Sequence, residues 1–252
     1  MKTLAKSLDV LAQFASASTD LGVTEISHLT GIDKVIVHRI LKTYAEYDYL
    51  VQHPTTRRYR LGNAILALAA AQQHSFPPLE AARPHLLQLW KGTSETIHFT
   101  VGRKDEMVVL QVYESPLPNR VAADLGEHVP MYCTAAGKQW LAHLPESAIR
   151  DYLKRVPLVS RTPQTITDPE LLLAELERTR ERGYAQDHAE YEDHLHALAA
   201  PIVNSRGELL ACVALAGPAA RLTKRSMTKL APLLTERAQA ISAELAHVSS
   251  ID

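Results

Sequence analysis

Between Val23 and Leu41 the apolar residues fall at helical spacing, in two short runs divided by a glycine. Ile26 and Leu29 give the first run an apolar face; Ile36, Ile40 and Leu41 do the same for the second. Gly31 stands where the chain must bend, because glycine enters positive φ without steric cost. Asp33 is placed to cap the second helix by accepting backbone N–H bonds. Upstream, Leu4, Leu8, Leu11 and Phe14 pattern an amphipathic helix. Downstream, Asp48–His53 and Arg57–Gly62 read as strands around the turn Pro54-Thr55-Thr56. Two packed helices followed at once by a β-hairpin predict a winged helix-turn-helix over residues 1–62, a module for double-stranded DNA. On that reading Lys34, Val35, His38, Arg39 and Lys42 lie on or beside the outward face of the second helix. Arg57, Arg58 and Arg60 on the wing approach phosphates or a minor groove. Arg39 keeps a second reading, as a tie between the helices.

Residues 63–77 change character. Asn63 to His74 is alanine-rich, with strong helix propensity, and Ser75-Phe76-Pro77-Pro78 ends the run because proline lacks the N–H. This predicts a linker helix whose small side chains suit close packing against a second copy, and so a homodimer or homotetramer. It is also the element expected to carry any coupling between ligand and DNA. From Leu79 onward helices and strands interleave. Helices are expected over 79–93, 135–144, 146–154, 169–182 and 223–247. Strands are expected over 96–101, 107–114, 120–124, 195–203 and 209–216. Hairpins and helices around one sheet predict an α+β domain over residues 78–252, for effector binding and oligomerisation.

Composition limits what such a chain does. It has 252 residues, 46% hydrophobic and 22% charged, with a formal net charge of −1, so it is not a polycation. Residues 1–62 hold eight Lys or Arg against six Asp or Glu, and the remainder holds 19 against 22. The slight basic excess confines DNA binding to the N-terminal part and makes a single copy a weak binder. The longest apolar run, 64–71, is too short to span a membrane, and the N-terminus lacks a signal-peptide pattern. A cytoplasmic protein is expected, with Cys133 and Cys212 as buried free thiols rather than a disulfide.

The chain resembles the IclR family of bacterial transcription regulators along its whole length. The resemblance is carried by Met131-Tyr132-Cys133-Thr134-Ala135-Ala136-Gly137-Lys138-Gln139-Trp140-Leu141-Ala142, by Gly183-Tyr184-Ala185-Gln186-Asp187, by Ala199-Ala200-Pro201-Ile202-Val203, and by Gly217-Pro218 with Arg221-Leu222-Thr223. It implies an N-terminal winged helix-turn-helix, a linker helix, a C-terminal effector-binding domain of GAF-like fold, and dimers or tetramers on operator DNA. Independently of the family, Thr134 can cap a helix starting at Ala135, and the small residues at 134–137 expose backbone N–H groups to an anion. A small carboxylic acid is the expected effector. The resemblance adds Asp187 to the pocket and strengthens Ala135 and Ala136.

Two departures sharpen the picture. Family members that bind small keto acids tend to carry Cys, Ser and Ser where this chain has Ala197, Ala214 and Ala216. Methyl groups leave a keto acid's polar atoms without partners, so a ring-bearing acid fits better. Its ring would lie against Ala197, Ala214, Ala216, Val121 and Met131, with Tyr132, His98 or His196 free to bond a ring hydroxyl. Hydroxybenzoates are effectors in the family, which implies control of a catabolic operon. The second departure lies in the DNA-reading helix, where Val35 and Ile36 stand in place of the usual Ser or Thr after the lysine.

Three alternatives remain. The same regulator could respond to an aliphatic keto acid. The C-terminal domain could oligomerise without any ligand. A metal-dependent enzyme is the third, since Asp187-His188-Ala189-Glu190 and His194-Leu195-His196 hold nitrogen and oxygen donors. No hydrolase elbow, phosphate loop or nucleophile signature accompanies them, and no cofactor or metal is expected.

Overall fold

The computed structural model describes residues 2–15, 17, 19–74 and 76–248. Ser75, placed above at the end of the linker helix, and the terminal residues 249–252 lie outside the described set. The chain divides into two compact units, Met1–Ser75 and Phe76–Asp252.

In the first unit α1 (Lys2–Ala12), α2 (Val23–Thr30) and α3 (Lys34–Glu46) close over a small core, followed by β1 (Leu50–Gln52), β2 (Tyr59–Leu61) and α4 (Asn63–His74). Ile26, Val37, Leu41 and Leu50 are fully buried at the centre, each stabilising the unit by ~1.5–3 kcal/mol relative to exposure. Gly31 does adopt positive φ, at 68°, and Asp33 accepts a 2.8 Å bond from the Val35 N–H. The hairpin is shorter than expected, and Leu21 pairs with Tyr59 to give the wing a third extended segment. The expected apolar faces need two corrections. Leu29 is exposed, and so are Leu4 and Leu8. Phe14 is buried as expected, just past the end of α1, and Leu11 packs against the core in part; the rest of the core-facing side is set by Val10, which is buried, and Ser7, which bonds the Tyr44 hydroxyl. The α4 helix begins where predicted but is solvent-facing for most of its length within this chain, with Leu66 at 69% and Leu68 at 54% exposure.

The second unit contains α5 (Pro77–Thr93), β3 (Thr96–Arg103), β4 (Glu106–Tyr113), β5 (His128–Pro130), α6 (Ala135–His143), α7 (Glu146–Arg155), α8 (Pro169–Arg182), β6 (Ala185–His188), β7 (Leu195–Val203), β8 (Leu209–Pro218) and α9 (Lys224–Glu244). The strands form one antiparallel sheet in the order β5-β4-β3-β8-β7-β6. Alternation along the strands sorts the two faces. Ile97, Phe99, Val101, Val213 and Leu215 pack with α5 and α9, whereas Cys212, Ala214, Ala216, Ala197 and Ala199 face α6, α7 and α8. This is the α+β architecture expected. The strand predicted over 120–124 is absent, because that segment is held by side chains: Thr96 Oγ1 donates to the Val121 carbonyl and Arg120 pairs with Glu114. The edge strands β5 and β6 were not anticipated; β6 is short and carries Gln186, Asp187 and His188, residue types with little strand preference.

α6 packs so closely on the turn that leads into it that Gly137 has no room for a side chain. A Cβ there would stand 2.2 Å from Met131 Cα and 2.3 Å from its carbonyl oxygen. Gly137→Ala would gain up to ~1 kcal/mol of helix propensity. It would also force the Met131 backbone aside, at a cost of ~1–3 kcal/mol. We expect a net loss of stability, read as a lower urea midpoint for unfolding.

Candidate functional site

The exposed side of α3 is largely polar and basic because, Val35 apart, its apolar residues turn toward the core. Lys34, Val35, His38, Arg39 and Lys42 all face solvent, while Val37, Ile40 and Leu41 point inward. Lys42 lies 4.0 Å from Glu46, an exposed pair one turn apart. Arg39 makes no ion pair among the described residues, which leaves its guanidinium available. The three wing arginines separate. Arg58 is half-exposed and engaged within the unit: it grips both Glu25 oxygens, at 2.7 and 3.0 Å, and donates to the Asp20 carbonyl at 2.8 Å. It anchors the wing to α2, a role its sequence context did not reveal. Glu25 in turn accepts the Gly22 N–H at 2.8 Å, and that bond first, then Arg58, holds its carboxyl below the ordinary range. Arg57 and Arg60 stay exposed, with no ion pair among the described residues.

In the second unit a cavity opens between the sheet and the start of α6. It encloses about 80 Å³, below the ~300–1,000 Å³ usual for small-molecule sites, which limits it to a small guest. Strand register sets its floor. Thr96 pairs with Ala216, His98 with Ala214 and Thr100 with Cys212, while Ala216 and Ala214 pair onward with Ala197 and Ala199. Methyl groups at 197, 214 and 216 keep the floor low, and the His98 ring and Thr100 rise beside them. At the α6 start Thr134 is fully occupied: its hydroxyl donates to the Pro130 carbonyl at 2.7 Å and accepts the Gly137 N–H at 3.2 Å. The N–H groups of Ala135 and Ala136 make no hydrogen bond among the described residues, and both residues line the cavity.

Of the residues expected at this site, Val121, Thr134, Ala135, Ala136, Asp187, Ala197, Ala214 and Ala216 line the cavity together. Four do not. Tyr132 donates its hydroxyl to the Val159 carbonyl at 2.9 Å, outside the lining. Met131 and Gly137 pack backbone against backbone. His196 follows the strand alternation away from Ala197 and is held by the Leu222 carbonyl at 2.8 Å. Thr100, Val109, Val129 and Tyr191 line the cavity without having been anticipated. The polar alternation Thr96, His98, Thr100 along β3 is the sequence signal by which Thr100 was open to detection.

Asp187 is 1% exposed and sits beside a second buried carboxylate, Glu190, and a buried lysine, Lys138. Lys138 Nζ donates to Glu190 Oε1, and the Glu190 N–H donates to Asp187 at 2.8 Å. One cation serves two carboxylates. Burial pushes the Asp187 carboxyl up to about 7, with the Glu190 charge adding to the rise and Lys138 opposing it. Among the described residues no group of three or more His, Cys, Asp or Glu is placed to hold a metal ion. Cys133 and Cys212 are buried and unpaired with each other. Burial raises both thiols, Cys133 to about 12. Among the described residues no helix is long and apolar enough to cross a membrane.

A winged helix-turn-helix with a basic reading helix, carried on a chain with a separate α+β unit, is the architecture of a DNA-binding transcription regulator. Residues 3–54 match the IclR helix-turn-helix domain, and residues 71–243 match the bacterial transcriptional regulator IclR C-terminal domain. The chain belongs to the IclR family. It is 30% identical over 251 residues to the Pca regulon regulatory protein of Pseudomonas putida, covering 98% of this chain and 84% of that one. It is 30% identical to the IclR structure of Thermotoga maritima, with a TM-score of 0.80 over 98% of this chain and all of the other. An IclR homologue from Microbacterium hydrocarbonoxydans, solved in complex with 4-hydroxybenzoate, shares the fold with a TM-score of 0.85 at 22% identity, covering 96% and 98% of the two chains.

The Asp187 carboxyl yields a pH prediction. Its folded value lies above the ordinary 3.8. The stability it contributes is therefore complete below about pH 4 and is lost as pH rises through about 7. Lys138 and Glu190 are the charged groups facing it. Asp187→Asn should show a shallower decline of melting temperature across that window than the parent protein; parallel curves would remove Asp187 as the cause.

Proposed function

We propose that this regulator binds its operator under the control of a small carboxylic acid, and that the acid is aromatic. One observation carries the reading: the cavity combines two unpaired N–H groups at a helix start with a floor of three alanines. The helix end favours an anion. The alanines give an apolar floor against which a ring buries its face. The carboxylate lies at Ala135 and Ala136, and the ring rests on Ala197, Ala214 and Ala216 beneath Val121. The 4-hydroxybenzoate complex of a protein with this fold indicates that the fold accommodates such an acid, and the Pca regulon relative fits control of an aromatic catabolic operon.

On the DNA side, Lys34, His38, Arg39 and Lys42 enter the major groove with Val35, whose exposed methyls suit a thymine methyl group. Arg57 and Arg60 contact phosphate. The exposure of Leu4, Leu8, Leu66 and Leu68 favours a homodimer or larger assembly in which residues 1–62 form the DNA-binding part, 63–77 the linker and 78–252 the effector-binding part. Work on operator DNA places the protein in the cytoplasm.

Two measurements test this. Thermal melting of the full chain with benzoate, hydroxybenzoates, pyruvate and glyoxylate should show a rise with an aromatic acid, since a ligand at 100 times its Kd adds ~2.7 kcal/mol. A rise with pyruvate or glyoxylate alone would overturn the aromatic reading, and no rise with any acid would overturn acid control. In salt titrations of DNA binding, Arg57→Ala and Arg60→Ala should each lower the slope of log affinity against log salt by about one. Arg58→Ala should act first on the stability of the N-terminal unit.

A further inference from the structure

We infer that the cavity at the start of α6 takes up a proton together with its acid, so that a carboxylate enters as one half of an acid–carboxylate pair whose other half is Asp187. The inference rests on the reading of the cavity as an acid site and adds how that site meets the charge of its guest.

Asp187 is 1% exposed and lines the cavity together with Ala135 and Ala136. The charges around it do not leave room for another anion. Lys138, on α6 and equally buried, gives its ammonium to Glu190 Oε1 and not to Asp187. Asp187 is met by main chain instead, accepting the Glu190 N–H at 2.8 Å. The remaining groups near it supply no buried positive charge. Burial raises the Cys133 thiol, in the turn before α6, to about 12, and lowers His98 on β3 and His188 on β6 to about 4. All three are therefore neutral at pH 7. Glu127 and Glu192 also line the cavity and are acids themselves. Arg161 is exposed and stacked on the Tyr191 ring, 4.5 Å from its centre.

The buried cluster thus holds one cation for two acids before any guest arrives, and a guest carboxylate makes three acids. A cavity of about 80 Å³ keeps that third acid within a few ångströms of Asp187. Two carboxylates so close in a buried site do not both ionise. They share one proton, which belongs to the pair. The N–H groups of Ala135 and Ala136 stabilise the negative charge of the guest, so the proton rests on Asp187. There it turns Asp187 from an acceptor into a donor toward the guest. In the empty site burial already raises the Asp187 carboxyl to about 7, and a guest anion moves it further the same way. Below that pH the free site holds the proton already. Above it, each carboxylate must bring a proton in. Affinity for an acid therefore falls as pH rises through 7, by up to ~10-fold per pH unit.

The test is calorimetric titration of the full-length protein with benzoate, with pyruvate and with the neutral benzamide, at about pH 5.5 and about pH 8. Each titration is run in two buffers of different ionisation enthalpy, so that the difference in heat counts the protons taken up. For the acid that binds, uptake should be near zero at the lower pH and close to one at the higher, whereas benzamide should show none at either. Asp187→Asn, which cannot take the proton, should bind the acid without uptake and with an affinity that changes by less than about two-fold between the two pH values. Binding of an acid at about pH 8 with no proton taken up by the parent would overturn the coupling while leaving the acid site standing. Uptake that persists in Asp187→Asn would assign the proton to another group and overturn the role of Asp187. Absence of heat with both acids at both pH values would remove the acid site and this inference with it. The titrations of the parent decide the coupling by themselves if the variant does not fold.

Discussion

The pairing of β3 with β8 is the constraint on which the C-terminal unit depends. It joins two hairpin-built halves, β5-β4-β3 and β8-β7-β6, whose central strands are more than a hundred residues apart in sequence. Contacts of such separation are slow to form and cost loop entropy, so the pairing holds only if both faces of the joint are well used. One face is the apolar stack of Ile97, Phe99, Val213 and Leu215. The other is the cavity floor. The rung that fixes Ile97 against Leu215 also fixes its neighbour His98 against Ala214. Core and cavity are thus two sides of one register, and a slip by one residue would exchange them.

Electrostatics in the interior follow the same economy. Lys138, Glu190 and Asp187 bring one positive charge to two acids where water is scarce. A full set of charges would leave an uncompensated anion, so the proton on Asp187 is retained to higher pH than usual. At the surface of the N-terminal unit the balance differs. Arg58, Glu25 and the Gly22 amide form a chain of bonds that ties the wing to the helices. Exposed ion pairs stabilise little by themselves, but this one fixes geometry, setting the hairpin beside the reading helix.

Much of this was legible in the sequence because it rests on period and on local turns. The cap at Asp33, the bend at Gly31, the helix over 169–182 and the strand over 195–203 follow from spacing and from residues with a single local role. The three alanines of the floor were legible through the family's pattern, and the helix start at Ala135 through the cap that Thr134 offers. What escaped detection depends on partners distant in sequence. Arg58 looks like any wing arginine until Glu25 is brought beside it, and Tyr132 and His196 look like ligand donors until Val159 and Leu222 take their polar atoms. Strand β6, edge-placed and polar, carries no periodic signature of its own. Leu4 and Leu8 misled for the opposite reason, since a helical stripe says that a face is apolar but not what covers it.

The alanine floor also bears on how such a protein changes over evolutionary time. Its strands are held by main-chain bonds that do not depend on the side chains at 197, 214 and 216. Each of those positions can therefore gain a methyl, a hydroxyl or a thiol while the frame stays intact. Substitution there subtracts space or adds a polar contact in small steps, and the reading helix, in a separate unit of the chain, is untouched. A regulator built this way can exchange its signal molecule without relearning its operator.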